Sequence, residues 1–222
     1  MNGVPKAKID ISNDKFPFMA CAKITVLEGI PARLFRISFS GELAYEIAVP
    51  RRYADFFVKK ISEIGKKYSL VPYGTEALGV MRIEKGHAAG NELNGQTTAN
   101  NLGLGKMVSK LNDCIGNTMS EREELNKENT LKLVGFIPTN KNQSLVAGSH
   151  FIEKGQTENL ENDQGWMSSV AFSPMLKHSI GLGYIIRGNQ RYGEKVHAVN
   201  PLRKEIIAVS YTHLTLPTNR EV

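Results

Sequence analysis

The residues whose types and spacing could do chemistry fall in two runs. The first is Phe35-Arg36-Ile37-Ser38-Phe39-Ser40-Gly41-Glu42-Leu43-Ala44-Tyr45-Glu46-Ile47. Alternation puts Tyr45, Ile47 and Val49 on one side of a strand and Ala44, Glu46 and Ala48 on the other. A carboxylate between two alanines leaves room for a ligand carrying hydrogen-bond donors, and an acid on a buried face would need such donors. The alternative is a strand with a solvated face, on which Glu46 points at water. The second run, Tyr73 to Gly86, reads as a helix in which Arg82 and Leu78 share a face. The Arg82 fork of donors could hold an anion or tie down the following loop, and the second use is favoured. Lys85 in the last turn complements the helix dipole.

Other chemistries lack their residues. There is no Gly-x-Ser-x-Gly nucleophile motif, and Cys114 has no nearby histidine in sequence. Gly103-Leu104-Gly105 is not followed by the glycine and Ser/Thr of a phosphate loop. His87, His150, His178 and His197 are too scattered for metal-ligand spacing, and His213 carries no functional weight. No metal site is expected. Trp166 is expected in a core.

The elements that must position these residues divide into two styles. After a loop holding the apolar plug Phe16 to Met19, strands are expected over 33–39 and 44–49, with Gly41 between them. A helix follows through Tyr53, Phe56, Phe57, Ile61 and Ile64, with Gly65 as its stop signal. The next helix spans 75–85 and should bury Ala77, Leu78 and Met81. Residues 90–105 are rich in Gly, Asn and Thr and read as an ordered loop. Ser120 and Glu123 have capping-box spacing for a short acidic helix. The pattern changes near Asn126. Beyond it come only short strand-like runs, at 132–136, 165–172, 180–186, 195–199 and 205–209, which argue for a small antiparallel barrel. This predicts domains at 1–126 and 127–209. The last residues, 210–222, resemble translated sequencing-adapter read-through and are set aside as an extraneous tail.

Composition narrows the class. The 222 residues are 41% hydrophobic and 23% charged, the balance of a globular chain able to bury a core. The net charge of +6 is spread along the chain without a Lys/Arg block or RNA-binding motif, so no nucleic-acid partner is expected. No apolar stretch is long enough to cross a bilayer, and the N-terminus lacks the apolar core of a secretion signal. Cys21 and Cys114 form no disulfide framework, and a reducing cytoplasmic setting is expected.

Taken in order, Phe35 to Val49, Tyr73 to Gly86, Asn101 to Gly105, Asp113-Cys114-Ile115-Gly116 and Ser168 to Pro174 resemble the C-terminal half of sarcosine oxidase alpha subunits. That half is similar to the glycine-cleavage T-protein, an aminomethyltransferase, and to the C-terminal part of dimethylglycine dehydrogenase. The resemblance covers residues 10 to 209. It implies an α+β fold, a partial aminomethyltransferase-type folate-binding lobe followed by a C-terminal antiparallel β-barrel. It implies binding of tetrahydrofolate and capture of the one-carbon unit of oxidised sarcosine, giving 5,10-methylenetetrahydrofolate and glycine. A non-catalytic folate-binding or assembly module of the same family is the alternative.

Carried over by position, Glu46 matches the glutamate that holds the polar edge of the pterin, a charge-assisted arrangement. Phe39 stands where aminomethyltransferases have Tyr, which keeps stacking and loses the hydroxyl. Leu78 stands where they have a folate-contacting Arg, which favours the oxidase branch, and Lys106 replaces a Trp after Gly-Leu-Gly. The family's catalytic Asp lies well upstream of the matched glutamate. Only 45 residues precede Glu46, so no catalytic residue is assigned here and the chain reads as a fragment, inactive by itself. The flavin and NAD of the oxidase complex would lie outside it. Its implied partners are tetrahydrofolate, the other oxidase subunits and the N-terminal part of the alpha subunit.

Overall fold

A computed structural model of the chain describes residues 9–27, 29–108 and 115–212. Residues up to Leu78 form one compact unit and those from Gly79 another. The Asp113-Cys114 half of one quoted motif and the tail from His213 onward lie outside the described residues.

The first unit is built on a three-stranded antiparallel sheet of β1 (Cys21–Val26), β2 (Ile30–Phe35) and β3 (Glu46–Ala48), in that order. Ile30, Ala32 and Leu34 of β2 are buried, opposite Val26, Ile24 and Ala22 of β1. Strand β1 is missing from the expected elements, since its segment reads only as the exit from a loop. Of the expected plug, Phe16 is buried while Phe18 and Met19 are exposed.

Strand β2 also stops at Phe35 instead of Phe39. Arg36 donates its amide to the Ala20 carbonyl and accepts from Met19, which diverts the chain from the ladder with β3. The Gly41 amide then donates to Ser38 Oγ and the Glu42 amide to Ser40 Oγ, local bonds that compete with strand pairing. Gly41 itself takes φ +83°, a conformation open to glycine.

Helix α1 (Ala54–Gly65) follows a 3-10 turn over Arg51–Tyr53. Gly65 does not stop it. The chain continues through a 3-10 turn, Lys66–Tyr68, and ends on Ser69 at φ +57°. Gly65 is instead a packing position, because a Cβ there would lie 2.6 Å from Leu70 Cβ. Helix α2 (Thr75–Lys85) has the expected bounds but a different buried face. Arg82, Ile83 and Glu84 are buried, whereas Ala77 is exposed and Leu78 and Met81 are half-buried.

In the second unit a short helix, α3 (Asn117–Ser120), precedes a 3-10 turn over Glu123–Leu125. The expected capping box is absent: Ser120 Oγ donates back to the Asn117 carbonyl, inside its own turn. Six strands then close an antiparallel barrel. They are β4 (Leu131–Pro138), β5 (His150–Ile152), β6 (Gly165–Ser173), β7 (His178–Ile186), β8 (Lys195–Asn200) and β9 (Glu205–Thr212), in the cyclic order β4-β7-β6-β5-β8-β9. Only the three-residue β5 is missing from the sequence expectation, being too short to show alternation.

The barrel is filled by Val134, Phe136, Phe151, Met167, Ile185, Val196, Ala198, Val209 and Tyr211, with Phe136 stacked on Phe151 at 4.2 Å. Strand β7 is buried on both faces. Its Ile180, Leu182 and Tyr184 meet Ile83 of α2 in a second cluster, to which Trp166 adds its ring. On the inward face Gly183 leaves room for Phe136, since a Cβ there would lie 3.0 Å from that ring and 2.6 Å from the Trp166 carbonyl oxygen.

Strand β9 overruns the expected end at Val209 by three residues. Ser210, Tyr211 and Thr212 pair with Ile137, Phe136 and Gly135 of β4, and Tyr211 is 3% exposed. These residues close the barrel, because β4 has no other partner on that side.

Two outcomes follow from this packing. Gly183→Ala should destabilise the chain by about 1–3 kcal/mol through overpacking, read as a lower midpoint in urea denaturation. Ending the chain at Val209 instead of Thr212 should cost about 3 kcal/mol or more, because it removes the buried Tyr211 ring and the closing pairs. Equal melting temperatures for those two chains would place the Tyr211 ring outside the core.

Candidate functional site

Glu46 opens β3, an edge strand, directly opposite Phe35 of β2. Directly opposed residues project to the same face, so Glu46 and Phe35 share one with Ala48, Arg33, Lys23 and Cys21. All but the half-buried Phe35 are exposed. Among the described residues the Glu46 carboxylate has no hydrogen bond or ion pair. Its two oxygens are therefore open to donors from solvent or from a ligand. Phe39, 37% exposed, sits in the bend of the loop that joins β2 to β3. The structure thus places Phe39 within the 36–45 loop of the first unit and Glu46 directly after it.

That loop is braced from the opposite side. The Arg36 guanidinium is buried, donates through Nη2 to Asn13 Oδ1 at 3.0 Å and lies 5.3 Å from the centre of the Tyr45 ring. Tyr45 in turn donates its hydroxyl to the Ile11 carbonyl at 2.8 Å, and Phe16 stacks on its ring. The alternation that turns Tyr45 inward therefore turns Glu46 outward.

The second run builds a different kind of site, within the barrel unit. Arg82 donates through Nη1 to Glu92 Oε2 at 2.8 Å and through Nη2 to Ser169 Oγ at 2.7 Å. Nη1 also reaches the His87 carbonyl at 3.3 Å, so the loop-tying role expected of Arg82 is the one found. Glu92 has no exposed surface. It accepts from Ser168 and Ser169 on Oε1 and from the Ala89 amide on Oε2, besides Arg82. Its backbone carbonyl accepts from the Tyr184 hydroxyl at 2.7 Å.

Consecutive residues of a regular strand face opposite ways, yet Ser168 and Ser169 both reach one oxygen. The register shift in β6 between Met167 and Ser169 makes this geometry. At the other end of β6, Ser173 Oγ donates to the buried Glu84 at 2.6 Å. Glu92 is the residue that sequence reasoning missed. Nothing in the Gly/Asn/Thr-rich loop marks it, whereas its partners Arg82, Ser168 and Ser169 all stand in the quoted runs.

The electrostatics follow from these contacts. Burial pushes the Glu92 carboxyl up, but the hydrogen bonds from Ser168, Ser169 and Ala89 and the Arg82 charge outweigh it, holding the group below the usual carboxylate value of 4.5. Burial raises Tyr184 to about 12. His87 is held below 6.5, first by burial and then by Arg82.

Lys106 lines a cavity of about 810 Å³ with Asn100, Asn126, Lys132 and Tyr192. His150 pairs through Nδ1 with Asp163 at 2.8 Å. Among the described residues no three His, Cys, Asp or Glu side chains gather as a metal site, and no helix is long and apolar enough to cross a membrane.

A separate three-stranded sheet with an open acid at its edge, followed by a closed six-stranded barrel, defines a two-part α+β protein. Residues 4–112 match the family model of the GCVT N-terminal domain, and residues 132–212 that of the glycine cleavage T-protein C-terminal barrel domain. The chain belongs to the glycine cleavage T-protein family.

Among its relatives, the sarcosine oxidase subunit alpha of Rhizobium meliloti (strain 1021) is 44% identical over 189 residues, 84% of this chain and 19% of that subunit. The subunit alpha of Corynebacterium sp. (strain P-1) is 36% identical over 94% of this chain and 22% of its own length. An aminomethyltransferase of Thermoanaerobacter sp. (strain X514) is 30% identical over 91% of this chain and 54% of its own. The chain thus spans about a fifth of the oxidase subunits it matches. The fold agrees with the crystal structure of the glycine cleavage system aminomethyltransferase T from Bartonella henselae, with a TM-score of 0.63 at 20% identity over 89% of this chain and 52% of that one.

Glu92→Gln should cost about 3–5 kcal/mol at neutral pH, since it leaves Arg82 buried without its counter-charge. Because the folded carboxyl titrates lower than the unfolded one, this contribution is present above about pH 4.5 and is lost as pH falls through the depressed value. Urea denaturation of wild type and Glu92→Gln between pH 7 and 3 should show the gap closing at the acid end. A gap independent of pH would mean that Glu92 is not the ionised centre of the network.

Proposed function

We propose that the chain is the tetrahydrofolate-binding portion of a sarcosine oxidase alpha subunit of the T-protein family. In this reading the complete enzyme oxidises sarcosine elsewhere. The one-carbon unit is captured on folate here, giving 5,10-methylenetetrahydrofolate and glycine. The observation that carries the reading is the state of Glu46: an exposed carboxylate whose oxygens have no partner among the described residues.

The polar edge of a pterin presents adjacent N–H donors, and a carboxylate accepting two of them makes a charge-assisted pair. Phe39, partly exposed across the same loop, would give the flat ring an aromatic face. The relatives supply the chemical context, because three of them are named as sarcosine oxidase alpha subunits and others as aminomethyltransferases. A division into a folate-binding domain over 1–126 and a barrel domain over 127–209 belongs to the same proposal. So do the placement of flavin and NAD outside this chain, the upstream catalytic Asp, and the other oxidase subunits as partners.

The test is made in the full-length subunit carrying this chain. Glu46→Gln replaces one acceptor oxygen by a donor that faces the pterin's own N–H groups. Loss of the charged bond should cost about 1.5–3 kcal/mol, roughly a ten- to hundredfold weaker folate affinity. Amine oxidation should be spared, and more of the one-carbon unit should leave as formaldehyde at equal sarcosine turnover. Unchanged partitioning between formaldehyde and methylenetetrahydrofolate at limiting folate would make Glu46 a solvated strand residue.

A further inference from the structure

The barrel unit holds a cavity of about 810 Å³ whose walls are fixed by the protein's own bonds, while its cations are left without counter-charges. Buried Asn101 builds one wall. Its Oδ1 accepts from the Thr98 amide and hydroxyl, its Nδ2 donates to the Leu131 carbonyl at 2.7 Å, and its carbonyl accepts from the Leu133 amide. These bonds staple the 98–101 turn to the start of β4. Asn100 Nδ2 donates to Asn126 Oδ1 at 3.3 Å, and Asn126 Nδ2 donates to the Ser120 and Arg122 carbonyls, which ties the α3 segment to the same turn. Gly105 allows the close approach, since a Cβ there would lie 2.0 Å from Asn100 Oδ1.

Two lysines line this frame. Half-buried Lys132 reaches one acceptor among the described residues, the Asn100 carbonyl at 3.3 Å, and its other N–H groups have none. Lys106 is exposed and has no hydrogen bond or ion pair among the described residues. The side-chain amides of Asn117 and Asn189, also on the lining, are likewise unengaged. Glu121 is the acid of the lining, and neither lysine pairs with it. Donors therefore exceed acceptors, and positive charge exceeds negative. A half-buried ammonium group is screened by salt less than a solvated one, so an anion brought to it gains more. The volume lies within the range of small-molecule sites and exceeds what a bare phosphate or carboxylate fills.

We propose that this cavity binds a small molecule bearing an oxyanion, a phosphate or a carboxylate, held by Lys132 and Lys106 with its polar body on Asn117 and Asn189. The site lies in the barrel unit and does not rest on the folate reading of Glu46. The two lysines act as point charges, and the amides supply direction.

The experiment titrates the ¹⁵N-labelled 222-residue chain with inorganic phosphate and, separately, with succinate, at constant ionic strength. Amide shifts should saturate and centre on residues 98–106, 117, 132 and 189. Lys132→Met should weaken binding about tenfold, because a charged hydrogen bond is lost. Lys106→Met, at an exposed lysine, should weaken it about two- to fivefold. Lys132→Arg, which keeps the charge, should retain most of the affinity, and that rescue separates recognition of charge from a disturbed wall. Lys195→Met, at an exposed lysine of β8, should change nothing. Binding of phosphate alone assigns a phosphate-bearing ligand, and binding of succinate alone a carboxylate.

Shifts that grow linearly without saturating overturn the proposal, as does equal weakening by Lys195→Met and Lys132→Met, since both mean general screening of surface charge. Cavity amides that shift with neither probe overturn it as well. So does a Lys132→Arg chain that binds as poorly as Lys132→Met.

Discussion

Burial of the Glu92 carboxylate is the constraint on which the barrel unit depends. An ionised group with no exposed surface is stable only if donors replace its water, and here they converge from three separate segments. Helix α2 supplies Arg82, the loop after it supplies the Ala89 amide, and β6 supplies two serine hydroxyls. The strand must break its register to do so. Tyr184 on β7 then holds the backbone of the same residue. The requirement to satisfy one charge thus explains the bulge in β6, the buried arginine on α2 and the course of the loop between them. Apolar contacts of Ile83 with Leu182 and Tyr184 fill in around that frame.

Glu46 and Glu92 show how the two uses of an acid differ physically. Glu92 has every acceptor filled by protein donors, so a ligand could displace them only at great cost. Glu46 is exposed on an edge strand with its acceptors unfilled, and the inward partners of its loop, Arg36, Tyr45 and Phe16, fix its direction instead. The charge of the first acid is satisfied within the fold, and that of the second is left exposed on the sheet edge. That contrast is why the proposed folate site is placed on the small sheet.

Much of this was legible in the sequence because its signals are local. The barrel strands show as apolar runs between turn residues, and α2 shows its bounds through Thr75, Lys85 and Gly86. Arg82 was legible as a residue that ties a loop, since a fork of donors near a helix end has few other uses. What stayed hidden depends on long-range partners. Glu92 lies 76 residues from Ser168, and no spacing rule links them. The three-residue β5 carries too few side chains to show a period, and β3 is shorter than the alternation over 44–49 implied. Residues 36–39 alternate like a strand, yet the backbone of Arg36 turns to Met19 and Ala20. The end of β9 was misplaced because Ser210-Tyr211-Thr212 looks polar until Tyr211 meets Phe136 across the barrel.

Family membership accounts for the two-part architecture, and the proposed folate site rests on the open face of the small sheet. The most direct measurement is hydrogen–deuterium exchange of the chain with and without tetrahydrofolate. The account predicts slowed exchange in residues 30–48, across β2, the 36–45 loop and β3, with the barrel amides unchanged. Protection confined to the barrel unit, or no protection at saturating tetrahydrofolate, would contradict it.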